Sequence, residues 1–314
     1  MSSRMKTQVP KVMHKVCGRP MLDYVLESCR HAGVSRILVV VGYGAELIKE
    51  YYQDQKDLTF VLQAKQRGTG HAVLCCKDEM EAFRGDTFVI CGDMPLIRGE
   101  ILEALIDKHE SSGAKATLAT AVLEDASGYG RIVRDSDGRL TGIVEHKDCM
   151  PAQLEIKEVN PSYYLFDNQA LFSALGQITP NNAKNEYYLT DTVEIILEWG
   201  GIVEAVTAVE QEDAMGANGR AELAELNRVM QQRIQRQVMD DGITIVDPAN
   251  TWFCSGVKVG RDTVIEPFTY ISGNVEIGSG CVIGPHAYLE EGAVVRDGDR
   301  VRLNFLKAEE PVGK

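Results

Sequence analysis

An open α/β sheet holds its ligands at the carboxyl ends of its strands, and Gly92-Asp93 stands at such a position. Residues 87–91, Thr-Phe-Val-Ile-Cys, form a short, apolar, partly β-branched run bounded by Gly85-Asp86 and Gly92-Asp93. That is the pattern of a strand covered on both faces of a parallel sheet. Gly92 lets backbone approach a ligand with no Cβ in the way, and Asp93 offers a carboxylate. Other polar stretches fall at the ends of predicted strands: residues 63–70, which contain glycines, and Glu145-His146-Lys147-Asp148. Taken singly, each has a plain structural reading. Gly92-Asp93 is a strand-to-helix turn, Lys11 a surface lysine, Glu145 to Asp148 a solvated loop, and Asn218 a cap for the helix that follows. Glu186 also reads as a helix cap, and His71 and His146 as structural residues.

The elements around these residues alternate. Residues 11–18 are basic and loop-like, and Pro20 opens an amphipathic helix with Met21, Leu22, Val25 and Leu26 on one side, closed by Gly33. Strands are expected at 36–41 and 58–62, with helices from Ala45 and from Thr69 or Gly70 to about Phe83. After Asp93 comes a helix over 98–111. Strand and helix in alternation predict a right-handed parallel sheet with helices on both faces. Further strands follow at 115–122, 131–134, 140–145, 163–166 and 202–209, with helices at 168–175 and 187–199. A long helix over 221–239 carries the stripe Leu223, Leu226, Met230, Ile234, which reads as core.

Composition removes several function classes. A net charge of −13 argues against binding nucleic acid through its phosphates. No run approaches a membrane span, and the first ten residues lack the apolar centre of a signal peptide. The eight cysteines are scattered with no Cys-x-x-Cys pair, and most sit in apolar runs. They read as small core residues in a reducing cytoplasm.

The C-terminal segment obeys a different period. Phe253, Val259, Ile265, Ile271, Ile277, Ile283, Leu289, Val295 and Val301 recur every six residues. Two positions before those from Val259 to Val295 lies a small or β-branched residue: Val257, Thr263, Thr269, Val275, Cys281, Ala287, Ala293. A parallel β-helix that turns a corner at each hexapeptide keeps such a contact, whereas a helix or plain strand does not. The row makes about three turns, near the minimum for stable stacking, and a prism of this kind has an exposed flank suited to trimer formation.

Taken together and in order, the motifs carry a resemblance. They are Arg4-Met5, Pro10-Lys11-Val12, Gly18-Arg19-Pro20-Met21, Gln63-Ala64-Lys65-Gln66-Arg67-Gly68-Thr69-Gly70-His71-Ala72, Gly92-Asp93-Met94-Pro95-Leu96, Gly128-Tyr129-Gly130-Arg131, Glu145-His146-Lys147-Asp148 and Glu186-Tyr187-Tyr188-Leu189-Thr190-Asp191. Over about residues 4–240 the chain resembles the uridylyltransferase domain of the bacterial bifunctional N-acetylglucosamine-1-phosphate uridylyltransferase/glucosamine-1-phosphate acetyltransferase family. The resemblance implies a Rossmann-like nucleotidyltransferase domain at 1–240, a short left-handed parallel β-helix at 241–303 and a tail at 304–314. It implies formation of UDP-N-acetylglucosamine, a cell-wall precursor, and pyrophosphate from UTP and N-acetylglucosamine 1-phosphate, in a cytoplasmic homotrimer joined through the β-helix.

The same resemblance assigns roles. Asp93 and Asn218 would hold a Mg²⁺, whose preference for hard oxygen ligands fits a carboxylate and an amide carbonyl. Lys11 and Arg4 would contact phosphates. Gln63, Gln66, Gly68, Thr69 and Gly92 would fix the nucleotide, and Gly130, Glu145 and Asn160 the sugar. The nucleophile is an anionic phosphate oxygen, so alignment and charge neutralisation are needed rather than a Ser-His pair.

Departures from the family pattern set further expectations. The family opens with a strand and a Gly-rich loop, of which Ser3-Arg4-Met5 matches only the tail, so the working protein is expected to start upstream of Met1. Without that strand and loop, the chain as given is expected to be poorly stable and to have little activity. Asn160 is followed by Pro161-Ser162 where the family has Thr-Gly. The β-helix is expected to stop near Val301, too short for acetyl transfer. A rival reading keeps the fold without catalysis, as a trimeric binding or scaffold subunit; release of pyrophosphate from UTP separates the two.

Overall fold

A computed structural model of the chain describes residues 5–302 and 305–306. These form two compact units. The first comprises residues 5–13 and Leu22–Gly216; the second comprises His14–Met21 and the residues after Gly216. The architecture is an α/β domain followed by a short parallel β-helix.

In the first unit a two-stranded parallel sheet pairs Ile37–Val41 with Leu58–Leu62. A seven-stranded sheet runs Asp86–Ile90, Tyr163–Asp167, Ala116–Val122, Glu158–Asn160, Gly130–Arg134, Leu140–Val144, with Val203–Val209 also pairing Ala116–Val122. The parallel sheet expected of the alternating strands forms only in part. Only the pairs Ile37–Val41 with Leu58–Leu62 and Ala116–Val122 with Val203–Val209 are parallel among the described strands of this unit. Tyr163–Asp167 lies between Asp86–Ile90 and Ala116–Val122 and runs antiparallel to both. Apolar run length reports burial, not strand direction, so the sequence pattern could not distinguish the two.

The helices do cover both faces, because Ala116–Val122 alternates its side chains. Ala119 and Ala121 face a cluster with Ile101, Leu102 and Leu105 of the helix Gly99–Ser112. Ala116 and Leu118 face Leu171, Leu175, Val193 and Ile196 of the helices Asn168–Leu175 and Asp191–Glu198. Leu102 and Leu105 are fully buried, each stabilising the fold by about 1.5–3 kcal/mol. Two expected helices are shorter: the one from Thr69 breaks into Thr69–Leu74 and Lys77–Met80, and the one expected over 187–199 is Asp191–Glu198.

The second unit combines a hairpin, the long helix Arg220–Asp240 and the solenoid. The hairpin, Lys15–Val16 with Arg19–Pro20, replaces the expected loop. Three parallel sheets stack the hexapeptide strands at an offset of 18 residues, as Lys258 on Glu276 and Tyr270 on Tyr288. The predicted inward row is buried except Val259, which is half-buried. The solenoid is longer than its six-residue row at both ends: Thr244–Ile245 pairs Val264–Ile265, and Phe305–Leu306 pairs Tyr288–Leu289, beyond Val301. The remainder of the expected tail, 304 and 307–314, lies outside the described residues.

A strand edge at the start of a solenoid leaves backbone groups unpaired, at about 1–3 kcal/mol each when buried. Two buried glutamines of the long helix meet them. The Gln231 amide donates to the Phe253 carbonyl and accepts from the Phe253 N–H at 3.0 Å. Gln235 Nε2 donates to the Thr251 carbonyl at 2.8 Å. These side chains stand where a further strand would pair. The predicted stripe anticipated only the apolar part of that face.

Candidate functional site

Asp93 follows the strand Asp86–Ile90 by three residues, and the Lys11 ammonium donates to its Oδ2. Both side chains are partly open, at 29% for Lys11 and 25% for Asp93. Lys11 opens the one-turn helix Lys11–Met13, whose Met13 is buried beside Leu22 and Leu26. Gly92 sits between Val12 and Leu22, and an added Cβ would lie 3.4 Å from each. The chain therefore brings a cation from the N-terminal segment onto a carboxylate just beyond the strand Asp86–Ile90.

The polar loop after Leu58–Leu62 is organised by its first glutamine. Gln63 Nε2 donates to the Gly68 carbonyl at 3.1 Å and lies 2.9 Å from His71 Nδ1. Gln66 is packed over Gly42, where a Cβ would stand 3.1 Å from its Nε2. Gly68 has φ +109°, and a Cβ there would meet the Tyr187 carbonyl oxygen at 2.4 Å. Only glycine permits this approach, which is sealed by Tyr187 N–H donating to the Arg67 carbonyl at 2.7 Å. Thr69 Oγ1 accepts from the Leu189 N–H at 3.0 Å. The segment Glu186 to Asp191 thus buttresses the loop, a support that sequence motifs list side by side but do not connect.

Gly130 and Asn160 are direct partners on neighbouring strands. A Cβ on Gly130 would lie 3.7 Å from Glu145 Oε1, so these three expected sugar residues converge. Arg131, almost fully buried, donates to the Ala126 and Tyr129 carbonyls at 2.6 Å and holds the turn that presents Gly130. Asn160 is 4% exposed; its Nδ2 donates to the Tyr164 hydroxyl and its Oδ1 accepts from Ser162 N–H at 2.9 Å. Its amide is thus largely spent on the turn that carries Pro161-Ser162.

Burial raises the Glu145 carboxyl above the ordinary carboxylate range, opposed by Lys184 and by the Thr190 hydroxyl at 3.4 Å. A carboxyl raised in the folded state favours folding at low pH, and that advantage is lost as pH rises through its folded value. Glu145→Gln keeps the acceptor oxygen and removes the buried charge. It is expected to raise the unfolding temperature slightly at pH 8, by a few degrees at most, and to leave it unchanged at pH 4. An equal shift at both pH values would exclude the charge as its cause.

Two expected residues fall outside the described part of the first unit. Arg4 lies outside the described residues. Asn218 belongs to the second unit, just before the long helix. No group of three or more His, Cys, Asp or Glu side chains placed to hold a metal occurs among the described residues. Sequence reasoning missed Thr190 beside Glu145, and Tyr129, Tyr163 and Arg98, which bond residues 213 and 214. Tyr129 was flagged only by its glycine neighbours. No helix among the described residues is long and apolar enough to cross a membrane.

Two family models match: nucleotidyl transferase over residues 3–211, and bacterial transferase hexapeptide (six repeats) over residues 256–291. The chain is 48% identical over 271 residues to the "Bifunctional protein GlmU" of Geobacillus thermodenitrificans, covering 86% of this chain and 59% of the relative. It is 44% identical over 271 residues to the protein of that name from Heliobacterium modesticaldum, with the same coverages. It is 43% identical over 272 residues to that from Listeria welshimeri, covering 87% of this chain and 59% of the relative. The chain thus spans under two thirds of the length of the curated relatives it matches.

Proposed function

Since the chain belongs to the nucleotidyl transferase family, we propose that it joins UTP and N-acetylglucosamine 1-phosphate to give UDP-N-acetylglucosamine and pyrophosphate. The observation that carries this reading is the Lys11–Asp93 pair at the carboxyl end of the strand Asp86–Ile90. An anionic phosphate oxygen of the sugar phosphate attacks the α-phosphorus of UTP, and the bond to the pyrophosphate leaving group breaks. No proton need be removed, so the protein's work is alignment and neutralisation of negative charge.

Each group of residues has a part. Lys11, and Arg4 with it, supplies positive charge to the phosphates. Gln63, Gln66, Gly68, Thr69 and Gly92 hold the nucleotide, the loop being kept in shape by Tyr187 behind Gly68. Gly130 and Glu145 face the sugar hydroxyl and N-acetyl groups, while Asn160 shapes the adjoining turn and offers its remaining amide hydrogen.

The donor set suits Mg²⁺ rather than a caged transition metal. Mg²⁺ keeps several waters and uses one or two carboxylates together with substrate phosphates. Asp93, a partly open carboxylate already facing a cation, fits that use. We assign it as a ligand, with Asn218 as the second. The ion would neutralise phosphate charge and fix the attacking geometry.

The protein is further read as cytoplasmic and as a homotrimer through the β-helix. Purified chain incubated with Mg²⁺, UTP and N-acetylglucosamine 1-phosphate should release pyrophosphate, at the low rate expected of the chain as given, with sedimentation giving three times the chain mass. Trimer without pyrophosphate release would favour the scaffold reading instead.

A further inference from the structure

The segment that leads back toward Asp93 after the strand Val203–Val209 is pinned at three points. The Tyr163 hydroxyl donates to the Asp213 carbonyl at 2.7 Å, and the Tyr129 hydroxyl donates to the Ala214 carbonyl at 2.9 Å. The Asp213 carboxylate, with no solvent exposure, accepts from Arg98 at 2.7 and 3.0 Å. Three residues on, Gly216 lies across Asp93: a Cβ there would stand 3.4 Å from the Asp93 carbonyl oxygen and 3.4 Å from Met94 Cγ. Both phenols are raised above the usual tyrosine range, by burial first; Asp93 is among the charges that add to it in each case.

We propose that Tyr129 and Tyr163 are positioning residues that latch residues 213–216 onto Asp93, and so hold its carboxylate in place for a divalent cation. This rests on the metal role proposed for Asp93 above. A phenylalanine would fill the same volume, so the hydroxyl is there for its hydrogen bond. Without it, a buried carbonyl loses its partner and the segment is free to lift from Asp93. Two adjacent carbonyls are each met by a phenol from a different strand region, and the third tie, Arg98–Asp213, starts from the helix that follows Asp93. Tyr129 also precedes Gly130, so the turn facing the sugar and the segment over Asp93 are one mechanical unit. Groups that orient a metal ligand typically change metal affinity by about 10–100-fold when removed.

The test uses the full chain and Mn²⁺ as a spectroscopic probe. Mn²⁺ binding by electron paramagnetic resonance is compared in wild type, Tyr129→Phe and Tyr163→Phe, alongside unfolding temperature. Tyr129→Phe should weaken Mn²⁺ binding about tenfold and raise the Mg²⁺ needed for half-maximal turnover by the same factor. The kcat at saturating Mg²⁺ should stay within about twofold of wild type, a split that simple loss of folded protein does not produce. If Tyr163→Phe does not fold, Arg98→Gln, on the exposed side of the latch, serves as the second variant. Unchanged Mn²⁺ affinity in the folded variants overturns the proposal, as does a wild type that binds no Mn²⁺. A wild type that binds Mn²⁺ but releases no pyrophosphate from UTP overturns the substrate reading, while the binding comparison still decides the latch.

Discussion

Asp93→Asn should lower turnover by about a thousandfold or more while leaving the protein folded. The two halves of that expectation have different physical sources. Asp93 and Lys11 are both partly exposed, and a pair of this kind contributes about 0–1 kcal/mol to stability. The substitution keeps the side-chain shape and leaves Lys11 facing an amide oxygen. Chemically the expected loss is large, because the carboxylate proposed as a metal ligand disappears. Pyrophosphate release at saturating UTP, measured beside the unfolding temperature, checks both halves. Retention of more than about a tenth of the activity in a folded variant would remove Asp93 from the machinery.

Ile283→Asp should unfold the solenoid. Ile283 is fully buried, paired with Ile265 on one side and Val301 on the other, inside the cluster that also holds Phe253, Ile271 and Leu289. Truncating a buried isoleucine costs about 2–5 kcal/mol, and an unpaired carboxylate in an apolar stack adds several more. Together they reach the size of a whole domain's margin, about 5–15 kcal/mol. Val294→Asp changes an outward residue that is 68% exposed, and should shift stability by about 0.5 kcal/mol or less. Calorimetry of the two variants separates inward from outward positions. If Ile283→Asp melted within about two degrees of wild type, the hexapeptide register would be wrong.

The six-residue row was legible because each inward position repeats the same physical demand, and a periodic demand leaves a periodic sequence. The helices Gly99–Ser112 and Arg220–Asp240 were legible through their amphipathic spacing. The hairpin Lys15–Val16 with Arg19–Pro20 was not, since two residues per strand carry no period. Nor was the insertion of Tyr163–Asp167 beside Asp86–Ile90, because pairing partners are a property of the sheet and not of either segment. At the site, the motifs pointed to Asp93, Lys11 and the loop from Gln63. They were silent on the phenols that meet the carbonyls of Asp213 and Ala214, whose partners lie 50 and 85 positions away in sequence. Glutamines 231 and 235 were hidden for a related reason. A polar side chain on a buried helix face is legible only once the strand edge it serves is known.

The second unit takes its hairpin from the start of the chain and everything else from the end. Cys17 N–H donates to Asn227 Oδ1 at 2.8 Å, and Arg19 reaches Ser255, 236 positions further on. During synthesis at about 5–20 residues per second, the hairpin therefore waits roughly 10–50 s for its partners to leave the ribosome. In that interval Val16 and Cys17, fully or almost fully buried in the finished protein, have nothing to pack against. The N-terminal unit can close around its own sheet meanwhile, but the C-terminal unit cannot be completed before translation of the solenoid's first turn. Long-range closure of this sort slows folding, so nascent chains stalled before Ser255 should hold their N-terminal segment open to proteases and chaperones.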